Sequence, residues 1–113
     1  MSNWLFAYGS LLPGRENEHI LAPLKGRWEP GHVRGILHPE GIGAALGWPV
    51  LILDAGGERI DGQLFRAATL AQNWALVDEF EGPAYRRVLT VVIRPDGSTC
   101  DAWVYVYNGE YNE

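Results

Sequence analysis

The chain has 113 residues, a formal charge of −5 at pH 7, 47% hydrophobic residues and 20% charged ones, the proportions of one globular domain that can bury a core without staples. The lone Cys100 excludes a disulfide framework or a cysteine zinc site, and His19, His32 and His38 are too scattered for a metal cluster. The acidic balance argues against nucleic acid as a partner, and no apolar run approaches the roughly 20 residues that span a bilayer or follows a basic leader, so a cytoplasmic protein with no membrane partner is expected.

Fourteen glycines and seven prolines are spread along the chain, which favours short strands joined by turns. No repeat or linker divides residues 1–113, so one continuous domain is expected. Residues 4–8 form an apolar, aromatic run that stops at Gly9, the pattern of a buried strand entering a turn. After Pro13-Gly14, residues 16–24 suit one or two helical turns with Ile20, Leu21 and Leu24 on one side. Residues 32–38 read as a strand, 40–47 as a glycine-rich loop, 48–53 as a strand. A turn at 54–58 leads into a strand at 60–65, making a hairpin. Residues 70–80 carry Leu70, Trp74, Val77 and Phe80 at the spacing of one buried helix face. Thr69 and Gln72 fit a capping box, and Gly82-Pro83 ends the helix. Residues 87–94 are rich in β-branched side chains, Pro95-Asp96-Gly97 is a hairpin turn, and residues 102–107 close the chain as a strand. The expected class is α+β, mainly β: a small, mostly antiparallel barrel or sheet with flanking helices.

Two stretches are over-specified for folding alone. Tyr8-Gly9-Ser10-Leu11 follows a buried strand with a residue that permits a sharp turn. Consecutive backbone N–H groups there can converge on an anion, although a plain β-turn gives the same tetrapeptide. Asp78-Glu79-Phe80-Glu81-Gly82-Pro83-Ala84-Tyr85-Arg86-Arg87 sets three acids at a helix C-terminus, the end that prefers cations. Phe80 is expected to face the core and Asp78 and Glu79 solvent. Glu81 is then the acid best placed to enter a cleft and move protons, unless it pairs with Arg86 or Arg87. An anion nest beside one positioned carboxylate suits a substrate with both a carboxylate and an amine, such as an α-amino acid head group.

Those two stretches resemble the signature loop and the Leu-Asp-x-x-Glu-Gly segment of the gamma-glutamylcyclotransferase-like family, with Val77 in place of Leu. Gly47-Trp48-Pro49, Ile60-Asp61-Gly62-Gln63-Leu64-Phe65 and Ala102-Trp103-Val104-Tyr105-Val106-Tyr107 resemble further family segments in order, so the likeness covers nearly the whole chain. It implies a β-barrel with a cavity at its mouth and a cofactor-free reaction. The substrate's α-amine attacks its own γ-glutamyl amide, releasing 5-oxoproline and a free amine or amino acid. Carried over, Gly9, Ser10 and Leu11 bind the γ-glutamyl head, and Glu81 is the general acid/base. Tyr8 and Tyr85 line the pocket in this reading, or are core aromatics. Arg34, His38, Trp48 and the closing-strand tyrosines shape the leaving-group side or serve the fold.

Two other readings stand beside it. A non-catalytic module would use the same pocket to bind a carboxylate metabolite, but gains nothing from an acid beside its ligand. A hydrolase would release glutamate in place of 5-oxoproline. No Ser-His-Asp or Cys-His constellation supports covalent catalysis, and Cys100 reads as a packed thiol. The five tryptophans suit either a core or an interface.

Overall fold

Six strands form one sheet in the computed structural model, which describes residues 2–109. They are β1 (Trp4–Ala7), β2 (Arg27–His38), β3 (Val50–Leu53), β4 (Glu58–Arg66), β5 (Tyr85–Ile93) and β6 (Thr99–Tyr107). Their order is β3-β2-β4-β1-β6-β5, and a pairing of His32 with Ile93 joins β2 to β5. That pairing closes β2, β4, β1, β6 and β5 into a barrel, with β3 extending the sheet from β2. Every pairing is antiparallel except β1 with β6.

Local chemistry sets the hairpins. Between β3 and β4 the Asp54 carboxylate accepts the Gly56 N–H at 2.9 Å, while the Gly57 N–H returns to the Asp54 carbonyl. Between β5 and β6 the Asp96 carboxylate accepts the Ser98 N–H at 2.8 Å, fixing the register that sets Ile93 opposite Thr99. Aspartates in this role mimic a backbone turn.

Period-2 alternation then divides the strands between two cores. Phe6, Val33, Leu51, Leu64, Val92 and Val104 come from all six strands and fill the barrel. Leu5, Ala7, Phe65 and Tyr105 alternate with them and face a second cluster, which includes Leu11, Leu21, Leu70 and Val77. Tight closure needs a residue without a side chain: a Cβ on Gly31 would lie 2.7 Å from Val92 Cγ1.

The helical region differs from its expected form. Residues 70–80 are a 3₁₀ turn, Leu70–Gln72, followed by the α-helix α1, Trp74–Glu81. Asn73 separates them at φ −120°, its side-chain amide donating to the Thr69 carbonyl at 2.7 Å. Asn competes with helical backbone bonding in this way. The Thr69 side chain makes no capping bond, so the capping box does not form. Residues 16–24 hold two 3₁₀ turns, Glu18–Ile20 and Ala22–Leu24. Strand β2 begins at Arg27 and not at His32, because Pro30 lies where β4 is its sole partner and a missing N–H costs no ladder bond. Among the described residues no helix is long and apolar enough to cross a membrane.

Candidate active site

One cavity of about 270 Å³ opens where β1 ends. Three pieces of chain supply most of its wall, and Tyr105 of β6 adds to them.

The first wall is the loop after β1. The Tyr8 hydroxyl donates to the Tyr105 carbonyl at 2.6 Å and accepts the Leu51 N–H at 3.2 Å, so the strand end is anchored to β6 and β3. The chain turns at once: the Leu12 N–H closes on the Gly9 carbonyl at 3.1 Å. Asn17 pins the turn twice, its N–H to the Ser10 carbonyl and its side-chain amide to the Ser10 hydroxyl, each at 2.9 Å. Gly9, Ser10 and Leu11 line the cavity, and no acceptor among the described residues takes their backbone N–H groups.

The second wall is the end of α1. Gly82 adopts φ 79°, a left-handed conformation open to glycine, and its N–H caps the Asp78 carbonyl at 3.0 Å. That stop leaves Glu81 as the last helical residue, in the cavity wall. Asp78 does not simply face solvent. It accepts Arg87 Nε at 2.9 Å and the Tyr105 hydroxyl at 2.6 Å. Burial pushes the Asp78 carboxyl up, but those two hydrogen bonds outweigh it and hold the group below its ordinary range. The Arg87 guanidinium lies 4.4 Å from the Trp74 ring centroid and 4.6 Å from that of Trp103. Arg87 is therefore taken by Asp78, and Glu81 has no ion pair among the described residues.

Glu81 is half-buried with no cation paired to it among the described residues, and the desolvation pushes its carboxyl up to about 7. Its surroundings stay neutral. Burial and the neighbouring Glu81 raise the Tyr85 phenol to about 12, and burial raises Tyr8 and Tyr105 as well. Perturbed acids of this kind, in a cleft, mark functional sites.

The third wall is the segment ending in Trp48 and Pro49. The Tyr85 hydroxyl donates to the Pro49 carbonyl at 2.8 Å, tying this segment to the start of β5.

Tyr8, Gly9, Ser10, Leu11, Glu81 and Tyr85, the six residues singled out in the sequence, thus meet in one cavity. Phe80 does not face the core. It is 38% exposed and lines the cavity mouth, because α1 turns its Val77 face inward. Arg34 and His38 are absent from the lining; Trp48 and Tyr105 are part of it. Asn17 also lines it, and nothing in the sequence marked that residue. Among the described residues no group of three or more His, Cys, Asp or Glu could hold a metal ion.

The sequence model of the gamma-glutamyl cyclotransferase, AIG2-like family matches residues 5–113. The chain belongs to that family. Solved structures repeat its fold. YkqA from Bacillus subtilis superposes with a TM-score of 0.72 at 25% identity, over 96% of this chain and 36% of that one. This chain therefore spans about a third of the length of YkqA. An AIG2-like protein from Mus musculus gives a TM-score of 0.75 at 20% identity, over 96% of this chain and 79% of that one. A structure titled gamma-glutamyl cyclotransferase gives 0.68 at 18% identity, over 94% of this chain and 66% of that one. No curated protein matches the sequence significantly. Membership of this family supports enzymatic activity in general, and the mainly β barrel matches the fold of these solved structures.

Proposed function

We propose that the protein is a gamma-glutamyl cyclotransferase that converts a small γ-glutamyl amine or γ-glutamyl amino acid to 5-oxoproline and the free amine. The observation that carries this reading is Glu81: an acid without an ion pair among the described residues, raised to about 7, in the same cavity as the Gly9–Leu11 backbone.

The α-carboxylate of the γ-glutamyl head binds the N–H groups of Gly9, Ser10 and Leu11. This holds the α-amine over the γ-carbonyl as a near-attack conformer. At neutral pH that amine is ammonium and cannot attack. Ionised Glu81 takes one proton, and the freed nitrogen adds to the carbonyl carbon. The tetrahedral adduct collapses as the carbon–nitrogen bond to the leaving amine breaks. Glu81 gives its proton to that departing nitrogen and removes the second proton from the new ring nitrogen. Two protons leave the α-nitrogen and two reach the released amine, so no water, metal or cofactor is consumed. General acid–base help of this kind contributes about 10²–10⁴-fold. The phenolic protons of Tyr8, Tyr85 and Tyr105 are already donated to Tyr105, Pro49 and Asp78, whereas the Ser10 hydroxyl accepts from Asn17 and keeps its own proton, so the loop, through that hydroxyl or an N–H the carboxylate leaves unused, supplies the donor for charge on the carbonyl oxygen.

A carboxylate-binding module would need the loop and not the acid, so the carboxyl beside it favours the enzyme. The test is Glu81→Gln, nearly isosteric and unable to exchange the proton. Formation of 5-oxoproline is expected to fall by at least about 10²-fold with the fold retained. Undiminished turnover in that variant would contradict the mechanism, and glutamate as the product would indicate hydrolysis.

A further inference from the structure

The cavity has an unequal charge distribution, and this bears on what the substrate carries beyond its γ-glutamyl head. The γ-glutamyl head fills only part of its roughly 270 Å³, so the substituent on the leaving nitrogen meets the rest of the lining, toward the mouth. Two aromatic side chains stand there. Phe80 precedes Glu81 at the end of α1 and is 38% exposed; Trp48 is 49% exposed. Large apolar side chains left in water at a cavity mouth mark a place where an apolar partner is covered.

Trp48 does not dangle. The Trp48 N–H donates to the Ala45 carbonyl at 3.1 Å, the Gly47 N–H to the Glu40 carbonyl at 2.7 Å, and buried Ala45 anchors the segment below it. On its other side the Pro49 carbonyl holds the Tyr85 hydroxyl. The ring is thus presented by a braced loop.

Equally informative is what the lining lacks. No Lys, Arg or His is among the described residues that form it, and Met1 and residues 110–113 bring no cationic side chain either. A γ-glutamyl amino acid carries a second carboxylate on its leaving group. Here that carboxylate would meet two apolar rings and the Glu81 carboxylate, with no cation to replace its water.

Resting on the cyclotransferase reading above, we propose that Trp48 and Phe80 select the leaving group, and that the preferred substrates are γ-glutamyl amides of apolar, above all aromatic, amines without a carboxylate. Binding energy from the rings is made equally in the ground state and the transition state, so it enters through KM more than through kcat.

The experiment compares four substrates by 5-oxoproline release: the γ-glutamyl methylamide, benzylamide and 4-aminobutylamide, and γ-glutamylglycine. The benzylamide is expected to have the highest kcat/KM, at least about 10-fold above γ-glutamylglycine, the scale of discrimination that a hydrophobic pocket provides. Trp48→Ala and Phe80→Ala are expected to collapse the benzylamide-to-methylamide ratio of kcat/KM, chiefly by raising the benzylamide KM. Both side chains are exposed enough for the variants to fold. A γ-glutamylglycine rate equal to that of the benzylamide would overturn the proposal, as would a preference for the aminobutylamide with its terminal ammonium, or a ratio unchanged in both variants. Methylamide turnover separates the two levels: oxoproline from it sustains the cyclotransferase while selectivity is judged, and none from any of the four would overturn the activity itself.

Discussion

Glu81 combines two properties that one side chain seldom holds: no cation among the described residues pairs with it, and its protonation is balanced near neutrality at about 7. The first predicted consequence is kinetic. The acid limb of kcat/KM against pH reports the free enzyme, so activity is expected to rise with pH through a midpoint near 7. The bound ammonium favours the ionised carboxyl, so the limb in kcat is expected to lie lower. A limb in kcat/KM near 4 would contradict a carboxyl raised by desolvation. The second consequence is for stability. Because the folded-state value is raised, the folded protein holds this proton to higher pH than the unfolded chain does. The neutral carboxyl therefore costs the fold nothing below about 4.5, and stability is lost as pH rises through about 7. Removing the charge with Glu81→Gln is expected to stabilise the protein at pH 8 by up to about 3 kcal/mol, since each tenfold change in proton affinity is worth about 1.4 kcal/mol. The gain should vanish by pH 4.5, and denaturant midpoints of the two proteins at both pH values measure it.

At the scale of elements, the end of α1 is held to β5 and β6 by Asp78, Arg87, Tyr105 and the two tryptophans flanking the guanidinium. Stacked, hydrogen-bonded arginine is not replaceable by a point charge. Arg87→Ala is expected to lower stability by about 1–2 kcal/mol, since it loses the stack and the ion pair with a partly exposed Asp78, which keeps the Tyr105 hydroxyl. Arg87→Lys should recover less than half of that loss, and a denaturation series compares the three proteins. This clamp was only partly legible in the sequence. Alternation and turn residues marked all six strands, because period-2 patterning and Asp-Gly chemistry are local. The start of β2 was hidden, since Pro30-Gly31 reads as a breaker until a sheet edge is known to receive it. Asn73 broke the expected helix through a side-chain bond that periodicity does not encode. Likewise Tyr8-Gly9-Ser10-Leu11 and Glu81 were visible as motifs, whereas Asn17 joins the site only through the loop fold. Asp78 and Glu81 stand on one short helix, and it took the placement of Arg87 to decide which acid is paired.

For the whole molecule, the barrel depends on one closing contact, and the cavity opens at the end of a strand inside that ring. Gly31 lets β2 approach β5, where a Cβ would lie 2.7 Å from Val92 Cγ1. Gly31→Ala is therefore expected to destabilise by about 1–3 kcal/mol through overpacking, read as a lower thermal midpoint. An unchanged midpoint would mean that the closure yields freely. In the sheet order β1, β6 and β5 are neighbours, so residues as far apart as Gly9 and Glu81 share one small space. In the proposed reaction this shared space cyclises a γ-glutamyl amide by way of the Glu81 carboxyl. The most direct test is mass-spectrometric detection of 5-oxoproline from a γ-glutamyl amide incubated with the native protein, Glu81→Gln and Glu79→Gln. Glu79 is exposed and outside the cavity. Oxoproline is expected from the native and Glu79→Gln proteins and almost none from Glu81→Gln; equal oxoproline from all three, or loss in Glu79→Gln alone, would contradict a reaction run by Glu81.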